Sequence, residues 1–111
     1  ICEGLVGSEM CIRDRLATMG SHAFLINTAR GEVVDEYALA SALGEGEIAG
    51  AGLDVYENEP SINPALLKFE NLVLLPHMGS GTNETREAMG LCAFDNIKAY
   101  LNGVELPNRV V

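Results

Sequence analysis

At 111 residues, with 48% hydrophobic side chains, the chain has material for one small domain with a real core, and not for two. Sixteen acids against seven bases leave a net charge of −9. That argues against the clustered Lys and Arg surface that nucleic acid or an anionic membrane requires. No apolar run approaches the roughly 18 residues of a membrane span. Three cysteines, Cys2, Cys11 and Cys92, have no CxxC or Cys/His spacing, which points to reduced thiols, no metal site and a cytoplasmic setting.

Residues 1–14 show neither a period of 2 nor one of 3.6, and Gly4 and Gly7 interrupt their apolar positions. They are expected to form an irregular lead-in. Residues 16–19 suggest a short helical turn, and Gly20-Ser21-His22 a break. Residues 23–26 are continuously apolar, the pattern of a strand buried on both faces. Asp35 is placed to cap a helix, with Glu36 in its first turn. Leu39, Ala42 and Leu43 form one apolar stripe, and Gly44 and Gly46 mark the end.

Residues 48–55 read as a second strand. Its Gly50 and Gly52 suit a place where another backbone or a ligand comes close. Residues 58–64 read as loop, residues 65–68 as a further helical turn, and residues 71–75 as a third short strand. Thr82 is placed to cap a long helix whose Met89, Ala93, Ile97, Tyr100 and Leu101 fall on one face, expected to be packing. Cys92, in mid-helix, is expected in or near the core. Asn102-Gly103 stops the helix, and residues 106–111 read as an extended tail. This rhythm is that of a parallel α/β sheet, about half of a doubly wound one. No Gly-x-Gly-x-x-Gly turn follows a strand.

All three apolar runs end in chemistry-bearing residues. The first runs into Asn27-Thr28-Ala29-Arg30-Gly31, the second into Asp54, Glu57 and Glu59, the third into Pro76-His77. Ligands of open α/β sheets bind at that edge. Arg30 is the one Arg or Lys between Arg15 and Lys68. It is suited either to grip a ligand carboxylate or to form a structural ion pair. His77 is a candidate proton donor if a carboxylate orients it, and Glu59 or Glu57 are the candidates for that partner. Asp54 lies deeper, where it can hold a cofactor or substrate group. Glu57 reads better as a solvated loop acid and His22 as surface.

Taken together, Asn27-Thr28-Ala29-Arg30-Gly31, Val34-Asp35, Gly52-Leu53-Asp54-Val55-Tyr56, Glu59-Pro60 and Pro76-His77-Met78-Gly79-Ser80 resemble the NAD(P)-dependent D-isomer-specific 2-hydroxyacid dehydrogenases. Leu75-Pro76-His77-Met78-Gly79-Ser80, Thr85-Arg86-Glu87-Ala88-Met89-Gly90 and Pro107-Asn108-Arg109-Val110-Val111 resemble most their glyoxylate and hydroxypyruvate reductases. The resemblance covers residues 15–111 and leaves residues 1–14 as a non-matching, non-native lead-in. It implies the second half of a Rossmann-type NAD(P)-binding domain over residues 15–101, and a tail, residues 102–111, that returns to a substrate domain.

By the same resemblance, Arg30 binds the substrate carboxylate, His77 is the general acid and Glu59 is the carboxylate hydrogen-bonded to it. Asp54 lies by the nicotinamide carboxamide, and Thr28, Ala29, Arg30, His77, Gly79 and Ser80 line the NAD or NADP site. The implied substrate is a small 2-ketoacid and the implied assembly of the full-length protein a homodimer. The glycine-rich turn and the selector for the ribose are absent, so the isolated chain is expected to be inactive. Gly20 and Gly81 depart from the family's usual basic residue and alanine. A corepressor of the C-terminal-binding-protein type shares these motifs and is the alternative. A formate dehydrogenase relative is disfavoured by Glu59, where that group has glutamine.

Overall fold

A computed structural model describes residues 9–111. Helix α1 spans Glu9–Met19, strand β1 Phe24–Asn27, helix α2 Glu36–Glu45, strand β2 Gly50–Leu53, strand β3 Leu72–Leu74 and helix α3 Asn83–Leu101. A single 3₁₀ turn, Gly31–Val33, joins β1 to α2. The three strands form a parallel sheet in the order β1-β2-β3, with Phe24 opposite Gly50 and Gly52 opposite Val73. Parallel neighbours require crossovers, and these bring every strand's carboxyl end to one edge.

Capping follows from the sequence. Asp35 Oδ1 accepts from the Tyr37 and Ala38 amides, both at 2.9 Å, and starts α2. Gly46, with φ of 71°, ends it in the left-handed conformation that glycine favours. Leu39, Ala42 and Leu43 are buried as their spacing predicts. They join Leu16, Ile48, Leu53, Tyr56 and Leu66 in one core.

Several expectations are corrected. Residues 9–14, expected to be irregular, lie in α1, and the turn expected at residues 16–19 is that helix's last part. Residues 1–8 of that lead-in lie outside the described residues. Strand β1 is covered on one face only: Phe24 and Ile26 are 66% and 67% exposed. A continuous apolar run does not distinguish a strand covered on two faces from one covered on one.

The chain divides into two compact units, the first ending at Gly79 and the second running Ser80–Val111. In the second unit Thr82 caps α3, its Oγ1 accepting from the Thr85 amide at 3.2 Å. The tail is fastened to the helix through Asn108, whose Oδ1 accepts from Asn96 Nδ2 at 2.9 Å and whose amide donates to Asn96 Oδ1 at 3.2 Å. The helix stripe expected to be packed is exposed at Met89, Ile97, Tyr100 and Leu101, and Cys92 is exposed too. One helix and a ten-residue tail are too little chain to cover both faces of that helix.

One contact sets where the first unit's loops lie. A Cβ on Gly31 would sit 2.0 to 2.4 Å from main-chain atoms of Tyr56 and Glu57. The chain after β1 and the chain after β2 therefore cross with no side chain between them. At Gly50 the expected close approach is also present, since a Cβ there would meet Asn71 O at 2.6 Å.

Two substitutions test this packing. Gly31→Ala collides with backbone, which cannot rotate away, and is expected to cost about 3 kcal/mol. Gly44→Ala places its Cβ at an ordinary 3.7 Å from the Phe69 ring. It lies within α2 and is expected to stabilise by about 0.5 to 1 kcal/mol through helix propensity. Denaturant unfolding checks both; equal effects of the two variants would contradict the crossing.

Candidate active site at the carboxyl edge of the sheet

Each strand end is shaped by a different local device. After β1, Asn27 is buried and folds the next residues around its side chain. Its Oδ1 accepts from the Ala29 amide at 3.2 Å, and its Nδ2 donates to Arg30 O at 2.9 Å. Thr28, Ala29 and Arg30 are thereby held out at the edge, all exposed. Arg30 Nη1 donates to Ala29 O at 2.7 Å. Among the described residues no carboxylate lies within ion-pair distance of Arg30, so its alternative role as half of a structural ion pair is not what the structure contains.

After β2, Tyr56 fastens the chain to the sheet. Its hydroxyl donates to Leu75 O at 2.7 Å and lies 3.2 Å from Leu53 O. Burial first, then nearby acids, raise its pKa. Glu59 turns back so that its Oε1 accepts from the Tyr56 amide at 3.1 Å. Its other oxygen, Oε2, lies 2.7 Å from His77 Nδ1. Of the two candidate partners for the histidine, the structure selects Glu59. Glu57 is exposed, as expected of a loop acid; partial loss of hydration first, and the nearby Glu36 carboxyl second, raise its pKa.

After β3, His77 has φ of 57°, a left-handed conformation that costs a histidine about 1 kcal/mol or more. Asp54 offsets that cost. It is buried at 4% exposure, and its two oxygens accept from the Met78 amide at 2.8 Å and the Gly79 amide at 2.7 Å. A deep acid at this position was legible in the sequence; that its oxygens are occupied by the histidine's own turn was not.

The edge thus gathers Thr28, Ala29, Arg30, Asp54, Glu59, His77 and Gly79, all within the first unit. Ser80, which follows Gly79, opens the second unit. A cavity of about 410 Å³ adjoins the acid–histidine pair, lined by Tyr56, Glu59, Pro60, Ile62, Pro76 and His77. Among the described residues there is no cluster of His, Cys, Asp and Glu able to hold a metal ion, and no helix long and apolar enough to cross a membrane. His22 is exposed, as expected.

Two residues were missed. Asn27 stands directly before the exposed turn it folds, and an Asx turn was the available signal. Glu36 was read as a first-turn acid favoured by the helix dipole. It is 4% exposed and its Oε1 accepts from the Glu57 amide at 2.9 Å. Nothing in an acid-rich window singled it out.

The pair holds Glu59 ionised. Its pKa is lowered by the hydrogen bond from His77 first and by the Tyr56 amide second, with a further contribution from the Arg30 charge. A depressed carboxyl pKa favours the folded contact above the unfolded value, and that contribution is lost as pH falls through the folded one.

Residues 7–79 match the family described as D-isomer specific 2-hydroxyacid dehydrogenase, NAD binding domain. The chain belongs to this family. It is 51% identical over 104 residues to a 2-ketogluconate reductase of Gluconobacter oxydans, covering 94% of the chain and 34% of that protein. It is also 51% identical over 103 residues to glyoxylate/hydroxypyruvate reductase B of Serratia proteamaculans, covering 92% of the chain and 32% of that protein. Among solved structures it resembles an NADPH-dependent glyoxylate/hydroxypyruvate reductase of Sinorhizobium meliloti in complex with NADP and malonate. That likeness has a TM-score of 0.82 at 43% identity, over 97% of the chain and 35% of the other. The chain spans about a third of the length of the curated relatives it matches. The family match begins at residue 7, inside the lead-in taken from the sequence as non-matching. The relatives are reductases, which does not favour the corepressor alternative.

Two measurements check the site. In carbon-13 NMR, the Glu59 carboxyl is expected to titrate below an ordinary glutamate and to move up in His77→Ala; an unmoved midpoint would mean that the two side chains are not paired in solution. Asp54→Asn replaces one acceptor with an N–H donor and leaves one turn amide facing it. It is expected to cost about 2 kcal/mol in unfolding experiments, with faster exchange of the Met78 and Gly79 amides.

Proposed function

We propose that this chain forms the catalytic edge of a reductase that converts a small 2-ketoacid, such as glyoxylate or hydroxypyruvate, to the D-2-hydroxyacid using NADH or NADPH. The observation that carries the proposal is the 2.7 Å contact between Glu59 and His77 at a sheet edge that also presents Arg30.

The residues present suit the nicotinamide end of such a cofactor. Gly79 comes so close to Asp54 that a Cβ would lie 3.1 Å from Oδ2. This leaves a bare main-chain turn at the same sheet edge as the exposed Thr28-Ala29 segment, where a flat ring can lie against backbone. The sequence has no Gly-x-Gly-x-x-Gly turn to receive a pyrophosphate. Bound NAD(P)H would supply the hydride.

The protein residues do the rest. Arg30 offers paired N–H donors to the substrate carboxylate and orients the keto group. Glu59 accepts from the Nδ1–H of His77, which leaves Nε2–H of the charged ring to protonate the carbonyl oxygen as the carbon is reduced. The ring ends neutral, still bonded through Nδ1–H to Glu59. Asp54 holds the turn that aims the ring. In this reading Ser80 joins the cofactor site, the full-length protein is a cytoplasmic homodimer, and residues 102–111 return to a substrate domain.

The isolated chain is expected to show no turnover, because its sequence has no Gly-x-Gly-x-x-Gly turn to receive a pyrophosphate. Ketoacid-dependent oxidation of NADH or NADPH by the 111-residue chain alone would overturn that expectation. Activity is tested by replacing the matching segment of the Serratia reductase with this chain and following NADPH oxidation by glyoxylate. In the active chimera His77→Ala is expected to lower kcat by about 10²- to 10⁴-fold, the usual contribution of a positioned acid. Arg30→Ala is expected mainly to raise KM while also slowing turnover. An unchanged kcat in His77→Ala would refute the acid assignment.

A further inference from the structure

Glu36 is used by nothing in the reaction described above, yet it is one of the few buried charged side chains, at 4% exposure. A helix-dipole role does not require burial, since that interaction also operates at the surface. Burial of a carboxylate is costly unless its oxygens receive hydrogen bonds. Here Oε1 accepts from the main-chain amide of Glu57, 21 residues further on, at 2.9 Å.

The position of that amide matters. Glu57 follows Tyr56, whose own amide donates to Glu59 Oε1 at 3.1 Å, and Glu59 Oε2 lies on His77 at 2.7 Å. Glu36 itself is placed rigidly. It is the first residue of α2, directly after the capping Asp35, and the turn before it is pressed by Gly31 against the main chain of Tyr56 and Glu57. So one end of the acid loop is clamped from below by helix α2, and the other end bears on the histidine.

We propose that Glu36 is a positioning residue: by holding the Glu57 amide it sets the loop register that brings the Glu59 carboxylate onto His77. Its side chain acts as a hydrogen-bond acceptor toward the main chain and touches neither substrate nor cofactor. The Glu36 carboxyl, after desolvation, raises the pKa of the nearby Glu57 carboxyl, which marks the cost of placing a carboxylate here. The catalytic consequence rests on the reductase reading; the geometric claim does not.

The test uses the 111-residue chain and two variants, Glu36→Ala and Glu36→Gln, read by NMR. In Glu36→Ala the Glu57 amide is expected to lose about tenfold or more of its protection from exchange, equivalent to one lost hydrogen bond. The Glu59 carboxyl midpoint is expected to rise toward that of a free glutamate. Glu36→Gln keeps an oxygen acceptor and is expected to leave both readouts close to wild type.

A merely structural role would lower stability without moving the Glu59 midpoint. A folded Glu36→Ala with an unmoved midpoint therefore overturns the proposal, as does a Glu36→Gln whose Glu59 midpoint rises. If Glu36→Ala does not fold, the wild-type chain decides: a Glu57 amide exchanging as freely as an open loop is incompatible with the clamp. None of these readouts depends on turnover. An inactive chimera alongside a shifted Glu59 midpoint would overturn the reductase reading while supporting this one.

Discussion

Where the chain after β1 passes beneath the chain after β2, Gly31 and the Tyr56–Glu57 main chain leave no room for a single carbon atom between them. That crossing fixes where the acid loop lies at the carboxyl edge of the sheet. It brings Glu59 within reach of a histidine that arrives from a third strand, and it holds Arg30 at the same edge. The parallel register aligns the strand ends to within a residue, but a strand end positions only its first loop residues. Side chains several residues beyond it are aimed by contacts between loops, and the Gly31 crossing is one of these.

The second organising feature is how the acids are used. In a chain of net charge −9, three carboxylates at or near the site accept from main-chain amides: Glu36 from Glu57, Asp54 from Met78 and Gly79, Glu59 from Tyr56. Charge-assisted bonds to amides are stronger than neutral ones, and they are spent here on irregular backbone. Loops are thereby stiffened without adding cations beside Arg30 and His77. The left-handed His77 shows why such stiffening is needed: an unfavourable main-chain conformation persists only where its surroundings over-determine it.

Much of this edge was legible in the sequence. Apolar runs that give way to Asn27-Thr28-Ala29-Arg30, to Asp54 and to Pro76-His77 announce strand ends, and parallel topology then brings those ends together. Asp35 and Thr82 announced their helices by capping chemistry, and both cap as expected. What was not legible depended on partners rather than on local pattern. The run Phe24 to Ile26 reads the same whether one face or both are covered. The apolar stripe of α3 and Cys92 read as packing, but burial is a property of what lies opposite, and the second unit has little to place there. Glu36 and Asn27 act through bonds to main-chain groups, which leave no imprint on composition or periodicity. Residues 9–14 hid a helix because their apolar positions carry no clear helical period, and helix formation in a protein depends on packing such as that of the buried Leu16 further along α1.

The central claim is that Glu59 acts through His77 and not independently of it. A double-mutant cycle on kcat in the active chimera, with Glu59→Ala, His77→Ala and the pair together, measures this directly. The account predicts strong non-additivity: once His77 is removed, removing Glu59 as well costs nothing further. Losses that simply multiply, with the double variant as slow as the product of the two single effects, would contradict it.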